Sequence, residues 1–597
     1  MRALVVLALL LLGGLVYLFV THEKVAVAGL GRFRFVDVAK ESGLELVNVS
    51  GDPRRWYIPE SNGNGAAWFD FEGDGDLDVF IGNGQHLRYH DDGARLEVVR
   101  DAKSALYLNQ GFLRFRDASF ESGADRRDWV NGIAVGDIDN DGDPDLYLAC
   151  FGADVLLVKE GNRFVESTKA RGLGNELWAA SACFGDANRD GQLDLYVANY
   201  CQFDLEHPPA GGKRNVIEGV EVAWGPEEEN KQGFNRGAPD RFYLGDGTGK
   251  FREATRECGF ELAKPLCSYA VVFSDVDGDG DLDVLVANDM QPANLFVNDG
   301  TGHFTEEGEQ RGFARGSEGR TTSAMGLSVE DFDGDGDFDV LRTNFDFEPN
   351  SLHVNDGRGH FEDRARQLGL ASASMDKLGW GGGFFDADCD GDLDILVANG
   401  HVYPQAKEIG MSGWLMETQL FEAVQNPSGA TVWIDATVRV GGGLAGLHSA
   451  RGVAFGDPDD DGDVDIVVID MDERPRLLEN RSVRMGHWLG VALVGSRSSR
   501  DGIGARVEVS AGGRTWVREM RTTQGLYSSH DPRLHFGLGR VEGRANVRVR
   551  WPSGAFTSTN DVDLDRYVVI SEGGSGAQAP AAGAKAGETV PGKESTR

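Results

Sequence analysis

The sequence predicts an all-β chain: a seven-bladed β-propeller followed by a small antiparallel β-domain. Three observations carry that expectation. One nine-residue acidic loop occurs seven times. Each copy lies between short runs rich in β-forming residues, and an apolar hairpin element recurs between copies. The 597 residues exceed what one ordinary core serves, so a repeat array or several domains are required.

Each loop carries oxygen-bearing residues at positions 1, 3, 5, 7 and 9 and Gly at position 6. Loop 1 is Asp70, Glu72, Asp74, Asp76 and Asp78; loop 2 is Asp137, Asp139, Asp141, Asp143 and Asp145. Loop 3 is Asp186, Asn188, Asp190, Gln192 and Asp194; loop 4 is Asp275, Asp277, Asp279, Asp281 and Asp283. Loop 5 is Asp331, Asp333, Asp335, Asp337 and Asp339; loop 6 is Asp386, Asp388, Asp390, Asp392 and Asp394; loop 7 is Asp457, Asp459, Asp461, Asp463 and Asp465.

Carboxylates at 1, 3 and 5 of a tight loop converge on one point. Gly at 6 permits the bend, the carbonyl of residue 7 turns inward, and the acid at 9 closes the shell. Hard oxygen donors on a flexible loop favour Ca²⁺ over Mg²⁺, which demands a stricter octahedron. Two bare carboxylates roughly 4 Å apart repel by about 4 kcal/mol at an effective dielectric near 20. The loop is therefore expected to fold around an ion, and the chain to hold up to seven Ca²⁺. Loop 3, with Asn188, Arg189 and Gln192, is the least negative and the expected weakest site. An EF-hand begins in the same way but needs Glu at position 12 and flanking helices. Position 12 here is Ile81, Leu148, Val197, Val286, Arg342, Val397 or Val468, and flanks such as Ala66-Ala67-Trp68-Phe69 and Ile395-Leu396-Val397 read as strands.

Between loops stand Leu106 to Phe115, Phe242 to Phe251, Leu295 to Phe304 and Leu352 to Phe361. Each is an apolar strand, a Gly-containing hairpin turn and the start of another strand. With the strands beside the acidic loop, this makes four per repeat, the pattern of propeller blades. The loops start 49 to 89 residues apart, and the excess over a simple blade lies in insertions, Asn199 to Asp240 and Gly400 to Arg439. After loop 7 only Ile466 to Asp470 and Arg476 to Leu478 remain before a new module. Gly31 to Ala39 is thus expected to supply the missing strand and close the ring.

These repeats resemble FG-GAP or VCBS repeats, the blade unit of integrin α-chain propellers. Trp380-Gly-Gly-Gly-Phe-Phe-Asp386, Ala398-Asn-Gly-His-Val-Tyr-Pro-Gln405 and Arg451-Gly-Val-Ala resemble the family typified by cartilage acidic protein. Asp501-Gly-Ile-Gly-Ala-Arg-Val507, Ser528-Ser-His-Asp-Pro-Arg-Leu-His-Phe-Gly-Leu-Gly539 and Val549-Arg-Trp-Pro-Ser-Gly554 are similar to the ASPIC/UnbV domain that follows such propellers. The expected organisation is residues 1–28 signal peptide or membrane anchor, 31–481 propeller, 485–572 ASPIC/UnbV-like β-domain and 573–597 disordered tail. The resemblance implies extracellular matrix or surface association. It also implies a Cys before Gly225-Pro226, where this chain has Trp224.

The apolar run Ala3 to Val20 reads as an export segment, cleaved near Ala26-Val27-Ala28 or retained as an anchor, and either places the rest outside the cytoplasm. A formal charge of −37 argues against a nucleic-acid surface and for divalent cations. Six Cys make no disulfide scaffold, although Cys183 with Cys201, or Cys258 with Cys267, lie near enough in sequence to pair. From Met485 to Glu572 there are twelve Arg and no Lys against nine acids, so this module is expected to dock on the acidic propeller.

No separate catalytic domain finds room, and His86, His90 and His401 beside Tyr403 are the only suggestive groups outside the loops, so an enzyme is not expected. The expected function is a protein- or glycan-binding, adhesive scaffold touching membrane only through an uncleaved N-terminus. The alternatives are a propeller enzyme acting on glycans or small molecules, and a purely structural matrix component. The expected ligand face lies on the two long insertions, whose rings include Phe203, Trp224, Tyr403 and Trp414, against the plainer reading that such rings pin loops down.

Overall fold

A computed structural model describes residues 31–208, 215–217, 220–222, 236–574 and 576–578. The N-terminal apolar segment, Trp224 and the tail beyond residue 578 lie outside the described residues. Among those described, no helix is long and apolar enough to cross a membrane.

The chain is all-β. Seven four-stranded antiparallel sheets precede the C-terminal module, and their arrangement is consistent with propeller blades. Their first strands are Ala66–Phe69, Val130–Gly136, Ala179–Gly185, Ser268–Ser274, Ala324–Glu330, Gly379–Phe385 and Ala450–Gly456. Each touches the next, and the last touches the first, so they line a closed ring. Numbered in that order, the sheets share the numbers of the acidic loops, each of which joins a first strand to a second. All seven first strands are buried throughout.

Crowding at the ring explains glycine there: a Cβ on Gly132 would lie 2.5 Å from the Ala180 carbonyl oxygen, and one on Gly326 equally close to that of Trp380. The hydrophobic core is correspondingly divided, with separate clusters between neighbouring sheets. Cys183 and Cys258 belong to one cluster and Cys201 and Cys267 to another, so neither pairing suggested by sequence proximity shares a core region, and no disulfide is formed among the described residues.

The fourth strand of sheet 7 is Phe35–Asp37, paired antiparallel with Arg476–Asn480 in the register Phe35↔Asn480. The N-terminal segment therefore completes sheet 7 and closes the ring as expected, covering the edge that Arg476–Asn480 would otherwise expose. A further hairpin, His86–His90 with Arg95–Val99, rises between the second and third strands of sheet 1.

The C-terminal module packs two sheets around its own core. One is antiparallel, in the order Arg514–Glu519, Arg506–Ala511, Ala545–Arg550 and Phe556–Val562. The other places His487–Val494 between Leu534–Gly539 and Tyr567–Ser571, and its last pair is parallel. The module is thus not purely antiparallel. Strand alternation fixes which residues face the core but not the direction of the neighbouring strand.

Candidate metal centres

The seven loops share one hydrogen-bond plan. In six, the position-1 Asp accepts the position-6 Gly amide at 2.8–3.2 Å. In all seven, the position-5 Asp accepts the position-7 amide at 2.9–3.1 Å. In all seven, one oxygen of the position-9 Asp accepts a third-strand amide at 2.6–2.9 Å. Its other oxygen accepts the position-2 amide in loops 1, 2, 3, 4 and 6. The position-9 acid therefore anchors the loop to its own sheet as well as facing the centre.

Position 6 has φ between 83° and 98° in every loop, the left-handed conformation for which Gly is suited. Position 4 is also left-handed throughout, and there it is filled by Asn140, Arg189, Cys389 and Asp460 as well as by Gly. Nothing in the acid spacing announces that second bend.

Ligand-capable oxygens of Asp137, Asp139 and Asp145 lie within 4.8 Å of one another, as do those of Asp275, Asp277 and Asp279, of Asp331, Asp333 and Asp335, and of Asp386, Asp388 and Asp394. Several buried carboxylate oxygens have no hydrogen-bond partner: Oδ1 of Asp275 and Asp277, and Oδ2 of Asp339 and Asp465. For Asp465 the cause is local, because position 2 of loop 7 is Pro458, which has no N–H to give. A buried lone carboxylate oxygen is costly, and a cation at the loop centre is the partner that this geometry leaves room for. Burial raises Asp78 and Asp145 to about 8 and Asp339 to about 9; hydrogen bonds from backbone amides oppose the rise, and neighbouring carboxylates add to it. The residues fit a hard divalent ion, since every donor is oxygen.

Sequence reasoning missed a tie between loops. Asn109, Asn298, Asn355 and Asn480 each end the third strand of their sheet, and the first three lead into the hairpin to the fourth strand. Each donates through Nδ2 both to the position-8 carbonyl of its own loop and to the position-2 carbonyl of the preceding sheet's loop. Asn355 joins Phe338 O at 3.1 Å and Val276 O at 2.7 Å, and Asn298 joins Leu282 O at 3.1 Å and Ala187 O at 2.8 Å. Asn109 and Asn480 repeat the pattern towards Pro458 O and Ala387 O. The available signal is a recurring Asn at the end of the third strand, ahead of Gln-Gly at Asn109 and of Asp-Gly at Asn298 and Asn355, a pattern that turn chemistry alone also explains.

Residues 70–148, 275–342 and 331–397 match the model of the FG-GAP-like repeat, and residues 495–577 match that named ASPIC and UnbV. The chain carries FG-GAP-like repeats and a C-terminal ASPIC/UnbV domain. No curated protein sequence matches it. Among solved structures, an Agrocybe aegerita lectin described as recognising non-reducing terminal N-acetylglucosamine is 13% identical with a TM-score of 0.33, over 68% of this chain and 91% of that one. The SapL1 lectin in complex with alpha methyl fucoside is 11% identical with a TM-score of 0.32, over 63% and 96%. A Trypanosoma rangeli sialidase in complex with the inhibitor DANA gives 11% and 0.32, over 75% and 59%.

The FG-GAP loops differ in their neighbouring cations. Arg32 from the ring-closing segment meets Asp388 at 2.9 Å and Asp390 at 3.0 Å in loop 6, and Arg311 meets Asp277 of loop 4 at 3.2 Å. Lys159 pairs with Asp143, Arg189 with Asp281, and Arg484 with Asp463. One group outside the loops, His448, Asp470 and Glu473, also brings three ligand atoms together, but Arg476 holds both oxygens of Asp470 at 2.6 and 3.0 Å.

The insertion rings pack inward. Tyr403 is buried, and Phe203 lies about 6 Å from the rings of Tyr57, Phe151 and Trp178. Trp414 is half-buried with Arg55 and Arg451 at 5.2 and 5.5 Å from its ring. Phe421 and Trp433 are buried strand residues. Of the residues expected on a ligand face, Tyr403 is thus buried, whereas Phe203 and Trp414 are half-buried against neighbouring side chains and keep part of their surface exposed.

The histidines form no joint site. His86 pairs with Asp101 at 2.7 Å and His90 with Glu97 at 2.8 Å. His401 is buried, which lowers it to about 3 and keeps it neutral. A groove of about 750 Å³ lies beside loop 5, lined among others by Arg364, Gln425, Thr431, Arg514 and Trp516.

Proposed function

We propose that this chain is an exported, calcium-stabilised propeller that works as a protein- or glycan-binding, adhesive module outside the cytoplasm. The observation that carries the reading is the sevenfold repetition of an acidic loop, which in loops 2, 4, 5 and 6 brings three ligand-capable oxygens within 4.8 Å of one another, with buried oxygens left without partners. Flexible loops of hard oxygen donors suit Ca²⁺ better than Mg²⁺. Its extracellular abundance agrees with the export segment read from Ala3 to Val20. A rigid ring of sheets presenting loops is the architecture on which recognition is commonly built.

The test has two arms. Excess EDTA should lower the melting temperature by well over ten degrees, with recovery on adding Ca²⁺ and only partial recovery with Mg²⁺. A glycan and matrix-protein array probed with and without EDTA should then show ion-dependent capture. An unchanged melting curve defeats the ion reading; ion-dependent melting without capture leaves a structural component.

A further inference from the structure

The ASPIC/UnbV domain reads the backbone of the FG-GAP loops at the points that a bound ion would fix. Three of its acids accept position-1 amides, each at 3.2 Å: Asp501 from Asp137 in loop 2, Glu519 from Asp275 in loop 4, and Asp531 from Asp457 in loop 7. Four of its side chains meet position-6 carbonyls: Arg506 at Gly336 in loop 5 (2.7 Å), Trp516 and Arg514 at Gly391 in loop 6 (3.0 and 3.5 Å) and His535 at Gly462 in loop 7 (2.9 Å). Five loops are engaged in this way. Among the described residues, loops 1 and 3 make no such hydrogen bond.

The same domain fills the axis of the ring. Residues 521–531 pair with first strands through the bridges Ala67↔Ser529 and Leu327↔Gly525. Ile133 N donates to Tyr527 O at 2.9 Å, Ser529 N to Ala66 O at 3.0 Å, and Asp531 N to Phe455 O at 2.9 Å. The segment thus borrows backbone partners from sheets 1, 2, 5 and 7.

We infer that residues 521–531 are an ion-locked plug: ions in the FG-GAP loops hold the C-terminal domain in place, and their loss releases the plug and opens the ring axis. This rests on the ion reading given above. Without an ion, four clustered carboxylates repel and spread the loop, which moves the position-1 amide and position-6 carbonyl away from their partners. Half-buried Asp501 beside Asp137 adds a like charge that a loop ion would offset. Within the domain, Arg514 pairs with Asp392 of loop 6, Arg533 with Asp460 and the Asp457 carbonyl of loop 7, and Arg550 with Asp275 itself, so among the described residues an arginine of the domain forms an ion pair with a position-1 carboxylate only in loop 4. Contacts at several loops fail together, which makes release cooperative, and by linkage docking tightens the loops for their ions.

Hydrogen exchange of the full chain tests this, with Ca²⁺ as the only added ligand and bound calcium counted in the same samples. With Ca²⁺, the amides of Gly525, Ser529 and Asp531 should be protected. In EDTA, at a temperature where second-strand amides such as Leu285 and Val467 stay protected, the three should exchange at least tenfold faster. Calcium bound without any change in their exchange overturns the plug and leaves the ion reading standing. Exchange that rises only together with Leu285 and Val467 overturns it too, as global unfolding. No bound calcium defeats both.

Discussion

Replacing Asn355 by Ala should destabilise the ring far more than its place beside a surface hairpin suggests. Its Nδ2 bridges Val276 O and Phe338 O, and its Oδ1 accepts the amides of Gly357 and Gly359 at 3.2 and 3.1 Å. The side chain is buried, so water does not readily replace it. Four hydrogen bonds at a net ~1 kcal/mol each give an expected loss of about 3–4 kcal/mol. Asn426 is the internal control: it sits at the matching hairpin of sheet 6 and accepts the amides of Ser428 and Ala430 but makes no bridge to another loop. Asn426→Ala should cost about 1 kcal/mol or less, because solvent reaches the freed groups. Urea denaturation of both variants at a fixed, saturating Ca²⁺ concentration reads the difference. Two variants within about 1 kcal/mol of each other would refute the claim that these asparagines lock neighbouring sheets.

Three further outcomes are expected. Deleting residues 31–39 removes the fourth strand of sheet 7 and the Arg32 pairs with Asp388 and Asp390; the whole ring, not one sheet, should melt earlier, and an unchanged melting temperature would contradict closure by this strand. The ion-free chain should melt higher at pH 5.5 than at pH 8.5. Its loop acids are raised on folding, Asp78 and Asp145 to about 8 and Asp339 to about 9, so they oppose folding increasingly as pH climbs from the ordinary carboxylate range through those values. The stabilisation conferred by Ca²⁺ should correspondingly grow with pH, because the ligands must be ionised; an ion effect independent of pH would argue against carboxylate binding.

Much of the architecture was legible because it repeats. Seven loops with Gly at position 6 fix where each first strand ends, and the left-handed φ of Gly75 through Gly462 follows from the bend they must make. The strand at Phe35–Asp37 could be placed across the whole chain because only sheet 7 lacked a partner. What stayed hidden depends on neighbours in space. Asn355 resembles any turn asparagine until the loop of sheet 4 is set beside it. The left-handed Cys389 and Asp460 have no residue preference that spacing would expose. The aromatic side chains of the insertions looked available because nothing in one dimension shows that Phe203 meets Tyr57 or that Trp414 lies against Arg55 and Arg451. The arginine excess of the C-terminal module did signal docking: Arg506, Arg514, Arg533 and Arg550 all reach the acidic loops, whereas Arg548 turns to Glu508 on its own sheet.

The most direct test of the account is the number of calcium ions that the purified full chain retains after dialysis against micromolar free Ca²⁺, measured by elemental analysis against protein concentration. The loop geometry predicts several ions per chain, approaching one per loop as Ca²⁺ rises, with Asp339→Asn in loop 5 lowering the count by about one. A chain that retains no calcium, and whose count is the same in Asp339→Asn, would contradict it.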